Sequence, residues 1–302
     1  MKILIVDGNN LQHRAMHAYA GLTNNVKPVS IVYGMILLTQ YMLRQFKPYK
    51  VYVCWDTARH AERIKLHPEY KKTKSRKKHR SMVDYSVINT QREVVMSLYH
   101  SLNVHQLVGP GMEADDWIYM LTREHPNDYI TIVSSDKDFN QLLSNKIKIW
   151  NPHKNLLIGK HNVKAHFGYS EKECIDYLSL VGDEGDNIKG YRGMGEESTK
   201  IFLAEHGSIR SFLEDESLVF KKLDRAKLKE VYKRNRLLIG LKAFYLKHLK
   251  DTPLSFYSNS KRVPSYRYEV VKKVCAEYNI KTFLKPDFLT PFKKLGHGKN
   301  IK

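Results

Sequence analysis

Acidic residues follow three β-branched runs of this sequence. Asp7 and Asp56 come directly after such runs, and Asp136 follows a third run with Asp138 beside it. In an open parallel sheet the carboxyl ends of the strands meet at one edge, where functional groups gather. The pattern therefore predicts that these side chains lie close together.

A second acidic group opens a predicted helix over 114–124. Glu113, Asp115 and Asp116 lie at its start, a few residues after a fourth predicted strand at 104–108. The first turn of that helix falls at the same edge of the sheet, so its carboxylates are expected to join the others.

Such a cluster is typical of a divalent-metal site. Two carboxylates about 4 Å apart at an effective dielectric of about 20 repel by about 4 kcal/mol, so the cluster must bind protons or cations. The ligands are all oxygen, with no cysteine or histidine at zinc spacing, which favours Mg²⁺ or Mn²⁺. A pair of these ions activates water and neutralises a phosphate in transit. Each acid taken alone has another interpretation as a helix cap or a complement to a helix dipole, but capping does not require acids after four strands.

The charge of the chain points to a polyanionic partner. Its 302 residues carry 51 Lys and Arg against 31 Asp and Glu, a formal net charge of +20. Nucleic acid and a membrane surface both fit this charge. The apolar run near the start is cut short by Asp7, and no stretch approaches the roughly 20 apolar residues of a membrane span, so no membrane association is expected.

The cysteines indicate a reducing compartment. Cys54, Cys174 and Cys275 are few, odd in number and far apart. This spacing argues against a disulfide scaffold or a paired-cysteine metal knuckle, and the cytoplasm is the expected location.

Strand-like and helical patterns alternate through the first half of the chain. They predict an α/β fold with a doubly wound, mainly parallel sheet over 1–170, interrupted by a basic excursion at 57–85. The region 171–284 is expected to be helical, with one long helix over 225–246. The segment 285–302, with its prolines, glycines and lysines, is expected to form a loosely ordered tail.

A glycine-rich hairpin follows the sheet region. The segment 182–195 (GDEGDNIKGYRGMG) precedes a predicted helix that begins at Glu196. Glycines let backbone amides approach a phosphate, and a helix–hairpin–helix unit grips a duplex backbone without reading its bases. Lys189, Arg192 and Lys200 add positive charge. An ordinary turn between helices is the alternative.

Taken in order, the motifs resemble those of the 5′-nuclease family over about residues 2–207. This family comprises flap endonucleases and 5′→3′ exonucleases, including nuclease domains of bacterial DNA polymerases and free-standing bacteriophage enzymes, which the chain resembles most in length and charge. The motifs are VDGNN at 6–10, RA at 14–15, WD at 55–56, YK at 70–71, EADD at 113–116, SSDKD at 134–138 and GDEGDNI at 182–188.

The resemblance implies a nuclease core with a PIN-like fold and two metal sites, filled by Mg²⁺ with Mn²⁺ as a substitute. The first site would use Asp7, Asp56, Glu113, Asp115 and Asp116. The second would use Asp136, Asp138, Asp183 and Asp186, with Asp136 placed to serve both.

By the same resemblance the basic excursion would form an arch around a single-stranded 5′ end. Lys71 would reach the scissile phosphate, Arg76 would assist it, and Tyr70 would stack on a base. Arg14 in the first helix would contact DNA. A solvated charged loop is the alternative for the individual lysines.

The hairpin resembles the helix-three-turn-helix element of the family. Gly193, Met194 and Gly195 would present amides to duplex DNA, Ser198 would contact the same phosphate, and K⁺ would sit at the turn. Two positions depart from the family pattern, because Lys189 stands where many members carry proline and Glu197 where many carry lysine.

The resemblance implies a structure-specific 5′-nuclease of DNA replication or repair. We expect a monomer that cuts branched or 5′-ended DNA near single-strand to duplex junctions, as a flap endonuclease and 5′→3′ exonuclease that also removes RNA primers from RNA–DNA hybrids. One alternative is a single-stranded ribonuclease on a PIN-like sheet, which would not need Asp183 or Asp186. The other is a catalytically silent protein that binds DNA structures and would tolerate loss of the carboxylates.

Overall fold

A six-stranded sheet forms the centre of the protein. The computed structural model describes residues 1–24, 27–74, 84–251 and 263–296. The strand order is β5-β4-β1-β6-β7-β8, with β8 antiparallel to β7 and all other neighbours parallel. These strands are β1 Lys2–Asp7, β4 Lys50–Cys54, β5 His105–Leu107, β6 Tyr129–Val133, β7 Ile147–Asn151 and β8 Leu156–Ile158, and a small hairpin, β2 Thr23–Asn24 and β3 Lys27–Pro28, lies outside the sheet. The predicted doubly wound, mainly parallel sheet is confirmed.

Helices cover both faces of this sheet. The helices of the sheet region are α1 Gly8–Ala18, α2 Ser30–Phe46, α3 Ala61–Leu66, α4 Tyr85–His100, α5 Ala114–Glu124 and α6 Val163–Phe167, with a 3₁₀ helix at Lys137–Leu142. Successive side chains of β1 point to opposite faces, so Leu4 packs with α1, α2 and α4 while Ile5 packs with α5. Burial on both faces explains why the strands read as continuous apolar runs.

The strand order places β1 at the functional edge. From β1 the chain first builds β4 and β5 on one side and then returns to build β6 and β7 on the other. Ligand sites of open α/β sheets lie beyond the carboxyl ends of the strands where the winding direction reverses. The end of β1 at Asp7 therefore lies at the centre of this edge.

A helical region after the sheet has a core of its own. It contains α7 Cys174–Val181, the two-stranded hairpin β9 Gly182–Asp183 and β10 Ile188–Lys189, α8 Glu196–His206, α9 Ile209–Glu214 and α10 Arg225–Ile239. Their buried side chains, among them Phe202 and Leu228, form one cluster. The expected helix over 225–246 is instead two helices, α10 and α11 Leu241–His248. They part at Gly240, where a Cβ would clash with the Arg236 carbonyl.

The helices after Gly240 pack on the sheet rather than on the helical region. Phe244 of α11 joins the cluster under α5. The last elements, α12 Tyr268–Glu277, a 3₁₀ helix at Lys281–Leu284 and α13 Pro286–Lys293, join the opposite cluster. The helices of the other core cluster lie within 174–239, and Tyr70 and Tyr169 from the sheet region also pack into that cluster.

The expectation of a loose tail from 285 is wrong for the residues that the structure describes. Pro286 opens α13, a position that suits proline because its fixed φ and missing N–H match the first turn. Phe288, Leu289 and Phe292 are buried against the core that contains α2. Residues 297–302 lie outside the described part. Within the described ranges, no helix has the length and apolar character needed to cross a membrane.

Replacing Phe292 by alanine tests the packing of α13. Phe292 is fully buried, so Phe292→Ala is expected to lower the free energy of unfolding by about 3–5 kcal/mol. Lys294→Ala, at an exposed neighbouring position, is the control. Urea unfolding measures both, and equal midpoints for the two variants would contradict the packed helix.

Candidate metal centre and nucleic-acid interface

Asp7 ends β1 and also caps α1. Its carboxylate accepts hydrogen bonds from the Asn10 amide at 3.0 Å and from the Ser134 hydroxyl at 2.9 Å. Burial, followed by repulsion from Asp56, raises the pKa of Asp7 to about 7. The carboxylate is thus held by β6 as well as α1, and it lies close enough to Asp56 and Asp136 to be repelled by both.

Asp56 connects the end of β4 with two helices. One carboxylate oxygen accepts from the Ala114 amide at 2.6 Å, at the start of α5. Its backbone carbonyl accepts from Arg92 of α4 at 2.9 Å, and the Arg92 guanidinium lies 4.6 Å from the centre of the Trp55 ring. Arg92 escaped the sequence interpretation because an arginine within a helix carries no distinguishing pattern.

Glu113 and Asp116 form a buried ion cluster with Arg63. The Arg63 guanidinium donates to the two Asp116 carboxylate oxygens at 2.9 and 2.7 Å and lies 3.4 Å from Glu113. Both partners of the Arg63–Asp116 pair are buried. Asp116, which the sequence analysis expected to be a metal ligand, thus has both carboxylate oxygens engaged by a fixed cation in this structure.

Arg63 also connects this cluster to α11. Its guanidinium lies 3.8 Å from the centre of the Phe244 ring, so an aromatic face covers the buried cation. In the sequence Arg63 is one of many basic residues in the excursion, and nothing in its neighbourhood distinguishes it. Only the tertiary structure identifies it as a buried partner of carboxylates.

Asp115 and Asp136, which are half-buried, and Asp138, which is buried, repel one another. Burial raises the pKa of each, and the charges of neighbouring acids raise it further. Asp136 accepts from the Asp138 amide at 2.9 Å and so caps the 3₁₀ helix that follows β6. The Oδ1 atom of Asp138 is buried and has no hydrogen-bond partner among the described residues.

The β9–β10 hairpin brings two more acids to the cluster. The charges of Asp183 and Asp186 act on buried Asp138. Asp183 lies 3.4 Å from the Lys137 ammonium, and Asp186 lies 3.7 Å from the Lys71 ammonium. Lys137 was not predicted, although its position between Asp136 and Asp138 in the sequence was a signal.

The structure thus places two lysines among the predicted carboxylates, with Lys71 beside Glu113 and Asp186 and Lys137 beside Asp183. Within the described ranges, no three His, Cys, Asp or Glu side chains already stand close enough together to enclose one ion. The acids are close enough to raise one another's pKa. The Lys71 ammonium lies between Glu113 and Asp186.

Lys71 has an unusual backbone conformation. Its φ of +57° lies in the left-handed region, which costs energy for a residue with a side chain. The Lys71 amide donates to the Asp186 carbonyl at 2.9 Å, and the Asn187 side chain donates to the Glu69 carbonyl at 2.8 Å. The hairpin therefore holds the strained residue in place.

The Lys71 side chain lies within the acidic cluster. Its ammonium is 2.5 Å from Glu113 and only 15% of the side chain is exposed. Burial lowers the pKa of Lys71, but the negative charges around it outweigh burial and raise the pKa well above the usual value. Glu113 responds in the opposite sense, because Arg63 and Lys71 overcome the effect of burial and lower its pKa to about 2.

The prediction that Tyr70 stacks on a base is wrong for this structure. Tyr70 is 1% exposed, and its hydroxyl donates to Glu113 at 3.1 Å. Its neighbour Lys71 extends toward the carboxylates instead. Arg76 lies outside the described residues.

The turn before α8 is open to solvent at its glycines. Gly193 has φ of +89°, and an added Cβ at Gly193 or Gly195 would meet no atom within 4 Å. The prediction that Met194 presents its amide is wrong, because that amide donates to the Tyr191 carbonyl at 3.0 Å and the side chain is buried in the helical core.

The remaining predicted DNA-binding residues lie at the surface or near it. Lys189 and Arg192 are exposed, while Lys200 is paired with Glu197 at 2.7 Å. Ser198 accepts a hydrogen bond from Lys222 at 2.7 Å. Arg14 lies half-buried on α1, and its Nε atom has no hydrogen-bond partner among the described residues.

Comparison with known proteins identifies the family of this chain. Residues 2–168 match the family model described as the 5′-3′ exonuclease, N-terminal resolvase-like domain. A 5′-3′ exonuclease of Buchnera aphidicola is 28% identical over 287 residues, covering 93% of this chain and 95% of that protein. DNA polymerase I of Mycobacterium tuberculosis is 29% identical over 270 residues, but the match covers 84% of this chain and only 28% of the polymerase.

Solved structures share the fold at low sequence identity. The T5 D15 protein, co-crystallised with metal ions, matches over 97% of both chains with a TM-score of 0.69 and 18% identity. The catalytic core of Rad2, in complex with a DNA substrate, matches 96% of this chain and 92% of that chain, with a TM-score of 0.59 and 16% identity. Since the family match spans more than half of the 302 residues, the protein belongs to the 5′-3′ exonuclease family.

Proposed function

We propose that this protein hydrolyses phosphodiester bonds of DNA at 5′ ends and at junctions between single strand and duplex. The observation that carries the proposal is the convergence of carboxylates from β1, β4, α5, β6 and the β9–β10 hairpin, with Lys71 in contact with Glu113 at the start of α5 and with Asp186 of the hairpin. The formal charge of +20 favours a polyanionic substrate, and it supports nucleic acid rather than a small phosphate ester.

The acidic cluster suits divalent cations. Its donors are oxygens, which Mg²⁺ and Mn²⁺ prefer. Asp138 has a buried oxygen without a hydrogen-bond partner among the described residues. The pKa values of Asp7, Asp115 and Asp136 are raised first by burial and then by repulsion from neighbouring acids, and cations would relieve that repulsion. When bound, such cations supply positive charge to the reacting phosphate and favour deprotonation of the attacking water.

The ligands divide into two groups by position. The carboxylates expected to hold one cation are Asp7, Asp56, Glu113 and Asp115. Those expected to hold the other are Asp136, Asp138, Asp183 and Asp186, with Asp136 near both groups because it also acts on Asp7 and Asp115. Asp116 serves as a positioning residue through Arg63 rather than as a ligand.

Lys71 is the residue expected to contact the scissile phosphate. Its ammonium, held among Glu113 and Asp186, exchanges these carboxylates for the phosphate oxygens and stabilises the negative charge that develops there. The left-handed backbone of Lys71 and the hydrogen bond from its amide to the Asp186 carbonyl fix the position from which the side chain extends. Lys137 is a second ammonium of the cluster, and its charge acts on Asp136 as that of Lys71 does.

The choice of substrate is supported by the relatives. One structural neighbour is described as the T5 D15 flap endonuclease in complex with DNA and metal ions, and another as GEN1 with Holliday junction DNA. The proposal extends DNA junction binding to this chain. Cleavage of RNA–DNA hybrids, K⁺ at the hairpin, a cytoplasmic location and a monomeric state remain predictions.

Asp136→Asn tests the metal mechanism. The substitution removes the charge shared by both groups of ligands and is expected to abolish Mg²⁺-dependent cleavage of a labelled 5′-flap duplex, with binding in Ca²⁺ largely kept. Glu124→Gln, an exposed site at the far end of α5, is the control. Full cleavage by Asp136→Asn would refute the metal mechanism. If the unmodified protein cut single-stranded RNA as fast as the flap duplex, the alternative of a single-stranded ribonuclease would be favoured.

Lys71→Ala separates a role in rate from a role in binding. Loss of a group that stabilises developing charge is expected to lower the single-turnover rate about 100-fold. The change in affinity should be small, because one phosphate contact among many contributes only about one unit of salt slope. Lys72→Ala, an exposed neighbour paired with Glu69, is the control, and parallel losses of rate and affinity for Lys71→Ala would assign it to binding alone.

Arg63→Met tests the buried ion cluster. Removing the cation leaves Asp116 and Glu113 buried together, so the free energy of unfolding should fall by about 3–5 kcal/mol. Arg59→Met, whose guanidinium donates to the Tyr70 carbonyl at 2.8 Å but contacts no carboxylate among the described residues, is the control. Urea unfolding with equal losses for the two variants would contradict the role assigned to Arg63.

A further inference from the structure

The positive charge expected on the first turn of α8 is neutralised in this protein. Glu196 and Glu197 occupy the first two positions of the helix, where negative charge weakens the attraction of a helix start for phosphate. The Lys200 ammonium is paired with Glu197 at 2.7 Å, and its side chain lies over Gly168. The single lysine of α8 is therefore paired with Glu197, and the helix brings no unpaired lysine to the open turn at Gly193.

A lysine from another element lies at the same place. The Lys222 ammonium donates to the Ser198 hydroxyl at 2.7 Å, and both groups reach solvent. Among the residues that the structure describes, no carboxylate forms an ion pair with Lys222. An ammonium beside a hydroxyl and an exposed glycine turn is a set of donors that matches the oxygens of a backbone phosphate.

The loop that carries Lys222 is firmly attached to the helical core. The Asp224 amide donates to the Tyr191 hydroxyl at 2.9 Å, which ties the loop to the glycine turn. Arg225 donates to the carbonyls of Asp215 and Leu218 at 2.7 and 2.5 Å, and the Phe220 ring packs edge-on against Phe202 of α8 at 5.4 Å. These contacts hold the backbone of the loop, so the position of Lys222 beside Ser198 is defined by the packing of the helical core.

We propose that Lys222, together with Ser198, forms the phosphate contact of the helix–hairpin–helix unit and binds the backbone of duplex DNA. This inference rests on the proposed function. The loop before α10 would thus supply a cation at the start of a helix whose own first two residues are glutamates.

The test compares adjacent lysines of the same loop. Lys222→Ala is expected to weaken binding of a 5′-flap duplex in Ca²⁺ about 5-fold to 10-fold and to lower the salt slope by about 0.9, as for loss of one phosphate contact. Lys221→Ala removes the same charge from a neighbouring exposed position and should change both quantities much less. Fluorescence anisotropy at several salt concentrations measures affinity, and matched melting temperatures show that both variants are folded.

Two results would overturn the inference in distinguishable ways. If the unmodified protein binds the flap but Lys222→Ala and Lys221→Ala lose affinity equally, Lys222 has no special contact and the inference alone fails. If the unmodified protein neither binds nor cuts the flap, the proposed function fails and the inference fails with it. Restoration of affinity by Lys222→Arg would further support a phosphate contact.

Discussion

Mutual repulsion of buried carboxylates is the constraint on which this structure depends. Acids from several strand ends meet at one edge of the sheet, and burial together with neighbouring charge raises the pKa of Asp7, Asp115, Asp136 and Asp138. Such a group is stable only when protons or cations accompany it. The protein supplies Arg63, Lys71 and Lys137 at distinct points of the cluster.

These cations have different physical roles. Arg63 is buried between Asp116 and the Phe244 ring, so its charge is permanently committed to holding the start of α5. Lys71 is partly exposed, and in the proposed mechanism a phosphate replaces the carboxylates that it contacts. Structural and functional charges thus sit within one cluster, and the degree of burial separates them.

The β9–β10 hairpin connects the helical region with the nuclease core. It contributes Asp183 and Asp186 to the acidic cluster and fixes the left-handed Lys71 through the Asp186 carbonyl. The glycine turn that follows, with Ser198 and Lys222 beside it, leads directly into the helical core. The hairpin that contributes to the acidic cluster and the turn proposed to bind duplex DNA are therefore close to each other along the chain.

The sequence by itself determined the sheet, the family and the membership of the acidic cluster. Strand ends and helix starts are local features, and parallel strands bring them to one edge whatever the details of packing. The sequence did not predict Arg63, Arg92 or Lys222, nor the burial of Tyr70 and α13, because these depend on which elements meet across the fold. The sequence alone does not distinguish a solvated lysine or arginine from a paired or buried one. Tertiary contacts decide which of the 51 basic residues pair with carboxylates and which stay available to bind a phosphate.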